Sequence, residues 1–561
     1  VLRGVVHPPK ACPAAYPEQI LERQTLGSIA ELGAACFGPL VLTPSNEVPM
    51  SRTHVALALA LSLSSLASTA CEKEDTKEKR DAGDKTDSGT NDAGKDGGAG
   101  AGPVSFGHGP ALGPNCDGKV KPGVSGALPT FERKTILDQP GAAYMKPADL
   151  NADGYPELLL TTLAEGQDST VFPPISSGGA YVISRKGGKA TGSLGEFEAT
   201  TVFNRDSKVE DSGEMVGVGF PNESELIDVD NDGVLDWLIG AGFLPKPRGL
   251  LVWMKGKRDG SFDPPKKTIP VPDKTCWYHL ALPTDMDGDG DEDFVTTCHI
   301  SEMGNPFVES RLEWFENPGD DSGVFEHHAI GAGGGALLTL HDIDEDGDVD
   351  ILAPQFFDPD GLVWWEQTGE KGSAWTRHLI NVSTGRGFIT QLADMNGDGR
   401  LDVLYGNHNN EIATNPLHRT MGIYWWEIPS KDTVRALENW DATMHVVYEG
   451  FEVDGDGDGD RASAPGMIQV GDIDGDCDMD VSASGDGDLG LYLFVQQENS
   501  FEKIELHRDA LNVNSGEQHM LDMDGDGDLD LVWGIFGPQV DPSAPPEMRK
   551  LYSRVDVFLQ Q

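Results

Sequence analysis

The sequence predicts an all-β fold, a ring of seven four-stranded blades preceded by a disordered tether. Three observations carry this prediction. An acidic motif recurs seven times at blade-sized intervals, and each copy runs straight into an apolar segment of strand character. Gly and Pro together supply 105 of 561 residues, too many turn-formers for a helical protein, while a 38% hydrophobic fraction leaves enough for a large core. The 93 Asp and Glu against 42 Lys and Arg give a formal charge of −51. Nucleic acid and anionic membrane surfaces both demand positive charge, so neither is expected as a partner.

The first hundred residues read as address rather than fold. Met50 opens a signal peptide over 50–70: Arg52 and His54 form a short basic start, Val55 to Leu66 an apolar run, and the small residues up to Ala70 a cleavage site. Residues 1–49, with scattered Pro and Cys, are expected to be a mis-called upstream extension, an unusual pro-segment being the alternative. Cys71, at the cleavage point, resembles the lipobox cysteine of bacterial lipoproteins, although Ser68 departs from the usual apolar residue. The resemblance implies lipidation at Cys71 and a secreted protein held at the outer membrane or cell surface, touching the membrane only through its lipid; a plain secretory cut after Ala70 is the alternative. Residues 71–127 are charged, Gly-rich and poor in large apolar groups over most of their length, so they are expected as a flexible linker, with 128–561 forming the ring.

The repeated motif is Asp-x-Asp/Asn-x-Asp-Gly-x-x-Asp/Glu. Its copies begin at Asp149, Asp228, Asp285, Asp342, Asp394, Asp472 and Asp522, separated by 79, 57, 57, 52, 78 and 50 residues. That is the scale of one propeller blade. Oxygens at positions 1, 3, 5 and 9, with a backbone carbonyl at 7 and a turn-making glycine at 6, suit one hard cation that accepts six to eight oxygens at irregular angles. The predicted ligands are Asp149, Asn151, Asp153 and Glu157; Asp228, Asp230, Asp232 and Asp236; Asp285, Asp287, Asp289 and Asp293; Asp342, Asp344, Asp346 and Asp350; Asp394, Asn396, Asp398 and Asp402; Asp472, Asp474, Asp476 and Asp480; and Asp522, Asp524, Asp526 and Asp530. About seven Ca2+ ions are expected. An EF-hand would need Glu at position 12, where the chain has Leu160, Ile239, Thr296, Ala353, Tyr405, Ala483 and Trp533. The motif also leads into strands such as DFVTT and DVLYG rather than a helix.

The motif and the Trp-rich segments that follow it, GLLVWM (249–254), RLEWFENPG (311–319), GLVWWEQTG (361–369), GIYWWE (422–427) and LGLYLFV (489–495), resemble the FG-GAP/VCBS repeats of integrin-alpha-like propellers. The resemblance covers roughly 128–561. It implies a seven-bladed β-propeller with calcium-binding loops, each ion in the loop joining the first and second strands of a blade, and it implies no particular activity. Cys477 stands where glycine belongs in the sixth copy, so that loop is expected to be strained or its ion weaker. The acidic run Asp454 to Asp460 is followed by no apolar strand and reads as a loop between blades, binding calcium or merely solvated.

FERKTILDQ (131–139) has the form of the fourth strands FEHHAIG and WTRHLIN but precedes the first motif, while RVDVFLQQ (554–561) resembles a third strand at the chain end. The N-terminal segment is therefore expected to complete the last blade, which removes the edges of an open ring. Cys276 and Cys298 flank the third motif and are expected to pair, two buried thiols being the alternative; Cys116, near the linker, has Cys477 as an open option.

Neither a nucleophile elbow, nor a phosphate loop, nor a zinc helix is present. His279, His299, His341 and His519 are expected to be packed or hydrogen-bonded near the calcium loops, and His327 and His378 to lie at the surface. The two long spacings place insertions at 164–179 and 406–422; the second gathers His408, Asn409, Asn410, His418 and Arg419 with one carboxylate and is the candidate ligand loop. Two function classes follow. The first is a noncatalytic, calcium-stabilised module of the cell surface that recognises a polysaccharide or protein. The second is a sugar-active enzyme, of lyase or dehydratase type, with a site at the channel mouth.

Overall fold

The structure, a computed structural model, describes residues 126–561 apart from 140, 164, 166–176, 188–191, 243–247, 303–304, 321, 357–360, 408–420, 452–463, 487–488, 499, 510–512 and 539–553, together with a few positions between 104 and 121. The expected extension 1–49, signal peptide 50–70 and lipidation site Cys71 lie outside the described residues.

Seven antiparallel sheets form a seven-bladed β-propeller. Blade one holds Ala142–Asp149, Glu157–Thr162, Gly179–Arg185 and Phe197–Phe203. Blade two holds Ser224–Ile227, Asp236–Ala241, Leu250–Met254 and Thr268–Ile269. In blade three the first strand is broken into Cys276–Tyr278 and Leu282–Thr284, followed by Asp293–Glu302, Asn305–Glu316 and Glu326–Ala332. Blade four holds Thr339–His341, Asp350–Pro354, Leu362–Gln367 and Trp375–Asn381. Blade five holds Gly387–Ala393, Asp402–Asn407, Gly422–Glu427 and Met444–Glu449, and blade six Ala464–Gly471, Asp480–Asp486, Leu489–Gln497 and Ser500–Asp509.

The last blade is made from both chain ends. Val513–Leu521, Asp530–Pro538 and Arg554–Gln560 are joined by Phe131–Leu137, in register from Phe131 opposite Gln560 to Leu137 opposite Val555. A bulge interrupts this pairing between Thr135 and Leu137. The same irregularity separates the third and fourth strands of blades one, three, four, five and six, so the N-terminal segment is a true fourth strand and not a loose appendage.

Burial follows strand order. ELLLTT and DWLIGA, second strands covered on both faces, are buried at every residue. Fourth strands, on the outer rim, mix buried and exposed positions, as in Phe197–Phe203. First strands of neighbouring blades meet one another around the axis. Trp237, Trp314, Trp364, Trp426 and Trp533 are fully buried, filling the core with the large apolar areas that rigidify it.

The later part of the expected linker is docked. Val104–Ser105 pairs with the first strand of blade one, Leu112 and Val120 pack on the core, and Cys116 is fully buried. A few apolar side chains and a covalent tie are enough to order a segment whose overall composition reads as flexible. Among the described residues no helix is long and apolar enough to cross a membrane.

Candidate functional site

Each acidic motif occupies the loop between the first and second strands of its blade, as the strand limits show. The position-1 carboxylate organises the turn. Asp228 accepts the N–H groups of Asp232 and Gly233 at 3.1 and 2.8 Å, and Asp149, Asp342 and Asp394 repeat the pattern at 2.9 to 3.1 Å. In the third loop Asp285 takes the N–H of Asp289, and in the seventh Asp522 takes those of Gly525 and Gly527.

Position 9 does more than the sequence indicates. One oxygen of Asp236 accepts the N–H of Val229 at 3.2 Å and the other that of Gly256 at 2.7 Å, so the carboxylate ties its own loop to the third strand. Asp293, Asp350, Asp480 and Asp530 make the same two bonds, to Met286 and Asn317, Ile343 and Gln367, Ile473 and Gln496, and Met523 and Gln560. Asp402 takes Met395 N–H at 2.8 Å, and the longer Glu157 takes Leu150 N–H at 2.8 Å. Each oxygen retains a second lone pair, so these groups can brace the blade and face a cation together. Burial first, reinforced by the neighbouring loop carboxylates and opposed by the backbone donors, pushes Asp236, Asp402 and Asp530 up to about 7, Asp293 to about 6, Asp350 to about 8 and Glu157 to about 7.

The donor set fits a hard cation. One oxygen each of Asp230, Asp344, Asp474, Asp476 and Asp524 is buried without a hydrogen-bond partner, a costly state that a calcium ion would relieve. The second, third and fourth loops are approached by basic side chains from outside the loop. Lys255 Nζ pairs with Asp230 and lies 2.7 Å from Asp232 Oδ2; Lys371 Nζ lies 2.9 Å from Asp287 Oδ2; and Arg435 reaches both Asp344 and Glu366.

Cys276 is bonded to Cys298 with Cα atoms 5.0 Å apart, and Cys116 to Cys477 with Cα atoms 5.4 Å apart. Cys477 has φ +79°, the left-handed conformation its glycine counterparts adopt. His279 and His299 are buried beside Trp277; burial pushes His279 down to about 3, and burial together with His279 holds His299 well below its usual value. His327 and His378 are not plain surface residues. His378 stacks on Trp364 at 4.6 Å and meets Glu366 at 2.6 Å, and His327 meets Glu313 at 2.9 Å, because a blade's fourth strand lays one face on the third.

Around the axis lies a charged cluster outside the seven motifs. Lys146 Nζ of blade one pairs with Glu225 Oε2 of blade two at 2.7 Å, both buried. Glu517 of blade seven accepts the N–H of Met145 at 2.8 Å and lies 3.2 Å from His519 Nε2, which meets the carbonyl of Met145 at 2.6 Å. Glu223 completes the group: burial, then Glu517 and Glu225, raise it well above the carboxylate range, and its Oε1 is buried without a partner. A signal did exist. Three residues before each motif stand Lys146, Glu225, Leu282, Thr339, Gln391, Gln469 and His519, polar in six of seven blades, and two residues earlier stand Glu223 and Glu517 among apolar residues.

The candidate ligand residues His408, Asn409, Asn410, His418 and Arg419, and the run Asp454 to Asp460, lie outside the described residues.

A closed ring of blades with an acidic loop at the same joint of each defines a repeat β-propeller. Residues 228–296 and 342–405, within this seven-bladed propeller, match the family described as FG-GAP-like repeat. No curated protein matches the sequence. Among solved structures, the alpha-L-arabinanase of Penicillium chrysogenum, complexed with arabinobiose, is 11% identical over 78% of this chain and 98% of that one, with a TM-score of 0.38. The GH93 alpha-L-arabinofuranosidase of Fusarium graminearum is 11% identical over 77% and 97%, TM-score 0.37. The Vibrio cholerae biofilm matrix protein Bap1 is 11% identical over 82% and 91%, TM-score 0.29.

Proposed function

We propose that this protein is a calcium-stabilised, noncatalytic module of the bacterial cell surface that recognises a polysaccharide or protein ligand, carried there by the signal peptide at 50–70 and held by lipid on Cys71. The observation that carries the reading is the repeated brace: in five loops both oxygens of the position-9 carboxylate hold backbone groups of two strands, while other loop oxygens are left for a cation. When bound, calcium supplies positive charge that cancels the mutual repulsion of the loop carboxylates. The residues then do the rest: position 1 shapes the turn, position 9 locks loop to blade, and one rim becomes rigid. The insertion at 406–422 belongs to a strand two to strand three connection, at the opposite ends of the strands from the calcium loop, where Asn amides and an Arg fork suit hydroxyls and carboxylates of a glycan. The test is a glycan and protein panel with the purified chain. Binding that is lost on replacing His408, Asn410 and Arg419 by Ala, with calcium content unchanged, supports the reading; retained affinity moves the site elsewhere.

The axial cluster favours a second reading, a sugar-active enzyme of lyase or dehydratase type. The Glu223 carboxyl, raised well above its ordinary range by burial and then by Glu517 and Glu225, stands with the Lys146–Glu225 and Glu517–His519 pairs as a convergent acid/base set. Product analysis after incubation with acidic and neutral polysaccharides tests it: new unsaturated ends, absent with Glu223→Gln, would favour catalysis over simple recognition.

A further inference from the structure

We propose that the sixth loop is a sealed cation site, closed by the Cys116–Cys477 disulfide and supplied with an added carboxylate, Asp478, so that its ion exchanges far more slowly than those of the other loops. The proposal rests on the reading that the loops bind calcium, and it reverses the expectation that a cysteine at position 6 weakens this site.

The seal begins with direction. At position 6 of five other loops, Gly154, Gly233, Gly290, Gly347 and Gly399, a Cβ would meet nothing within 4 Å, and Gly527 of the seventh loop is the same. A side chain there projects into open space. In the sixth loop that side chain is Cys477, which keeps the glycine-like φ of +79° and ends in a bond to Cys116. The open side of the loop is thereby filled by the N-terminal segment. Lys121 donates its N–H to the Cys477 carbonyl at 2.7 Å and sets its ammonium 3.5 Å from Cys477 Sγ. Cys116 Sγ lies 3.0 Å from Asp472 Oδ2. Gly126 passes so close that a Cβ on it would lie 2.1 Å from Asp474 Oδ2, so only glycine fits at that point.

Asp478, at position 7, is 0% exposed and neither of its oxygens has a hydrogen-bond partner. Its counterparts Asp291 and Asp528 are half-buried, and Asp348 is exposed. Asp472 and Asp480 are also withdrawn from solvent, and one oxygen each of Asp474 and Asp476 is buried without a partner. A fully buried anion is stable only when paired or bound to metal. Five carboxylates converge here under a covalently fixed cover, a donor set suited to a divalent hard cation of the size of calcium. The ion must leave through a wall that the other loops lack.

The test uses the full chain, oxidised, loaded with calcium and freed of excess. Its starting calcium content reports on whether the loops bind the ion, and its release into excess EDTA, followed by elemental analysis of the protein over time, reports on the seal. We expect one equivalent to leave at least about tenfold more slowly than the rest. Cys116→Ser, which opens the tie but leaves Cys276–Cys298 intact, should release that equivalent with the others. Cys477→Gly restores the ordinary loop and serves the same purpose should the serine variant misfold; circular dichroism and melting confirm which variants are folded. Release of all calcium from the wild type in one fast phase overturns the seal while leaving calcium binding standing. A slow equivalent that persists in a folded Cys116→Ser or Cys477→Gly chain overturns the role of the disulfide. A wild-type chain that takes up no calcium overturns both readings.

Discussion

The second and sixth loops share one motif and the same position-9 brace, yet they meet the charge of their carboxylates in opposite ways. In the second loop the answer comes from within the chain. Lys255 sits opposite Asp236 across the sheet, where the other third strands carry Ser184, Glu316, Glu366, Glu427, Val495 and Leu559, and its ammonium reaches Asp230 and Asp232. In the sixth loop residues from the N-terminal segment cover the carboxylates, and Asp478 adds another. The motif alone therefore does not set the electrostatic surroundings of a loop. On the proposed reading what stands over it does: a resident cation would compete with calcium, whereas a cover with added negative charge would favour it.

Removing the ions should produce the largest effect and break the comparison if calcium is irrelevant to either loop. Each site adds RT ln(1 + [L]/Kd), about 2.7 kcal/mol at a hundredfold excess over Kd, so several sites together are a large share of a typical domain's stability. Chelation should lower the melting temperature steeply, with the second loop emptying early because Lys255 remains to neutralise it. An unchanged melting temperature after verified metal removal would contradict the structural role.

Next in size is the pH response of the metal-free chain. The position-9 carboxyls titrate at raised values in the fold, Asp236 near 7, and Asp480 is pushed well above the ordinary range by burial and then by Asp474 and Asp478. An acid whose folded pKa is raised holds its proton more tightly in the folded state. Its contribution to stability is therefore fully present below the unfolded value of about 4 and is lost as pH rises through the folded value. The metal-free melting temperature should fall from about pH 4 to pH 8. With calcium present the trend should reverse, since protons and the ion compete for the same oxygens. Parallel melting curves with and without metal across this window would contradict the assignment.

Much of this was legible in the residues. The seven motifs gave the blade count because the spacing of a repeat is conserved by the geometry that stacks it, and FERKTIL declared itself a fourth strand by its likeness to FEHHAIG and WTRHLIN. The brace at position 9 was not legible, because its partners are backbone N–H groups in or just past the third strand, such as Gln560 and Gly256, whose side chains say nothing about it. The axial cluster was legible only in part: the polar position three residues before each motif could be read, but not that Lys146 meets Glu225 across blades one and two, nor that ring closure sets Glu517 and His519 of blade seven against Met145 of blade one. Cys477 was expected to strain or weaken its loop because the sequence shows the lost glycine, while its pairing with Cys116, 361 residues away, could be raised only as an option.

The brace itself sharpens the comparison at the level of single residues. Asp236→Ala and Asp480→Ala each strand two backbone N–H groups, and at about 1–3 kcal/mol for an unsatisfied buried donor either should cost a few kcal/mol even without metal. Asp480→Ala should cost more in calcium, where the sealed site loses a ligand as well as a brace. Asp232→Ala is the control: exposed and at position 5, it should lower calcium content by about one equivalent while costing the metal-free chain no more than about 1 kcal/mol, because its pair with Lys255 is screened by solvent. Equal losses for Asp232→Ala and Asp236→Ala in the metal-free chain would remove the distinction between ligand and brace.

The smallest expected effect tests Lys255 directly, because replacing it should move the apo and calcium-loaded forms in opposite directions. With no metal, Lys255 neutralises Asp230 and Asp232, and its side chain is 35% exposed, so solvent screening limits the loss in Lys255→Met to about 1 kcal/mol. With calcium, the same substitution removes the competitor and leaves the oxygens of Asp230 and Asp232 free, which should raise affinity at this loop by up to about tenfold, roughly 1.4 kcal/mol. The melting temperature should therefore fall slightly in EDTA and rise slightly at limiting calcium, and calcium titration should show one site tightened. A purely structural lysine would lower both melting temperatures, and a lysine irrelevant to the loop would move neither. Only the crossing of the two responses supports the view that the second loop carries its own cation and gives it up when calcium arrives.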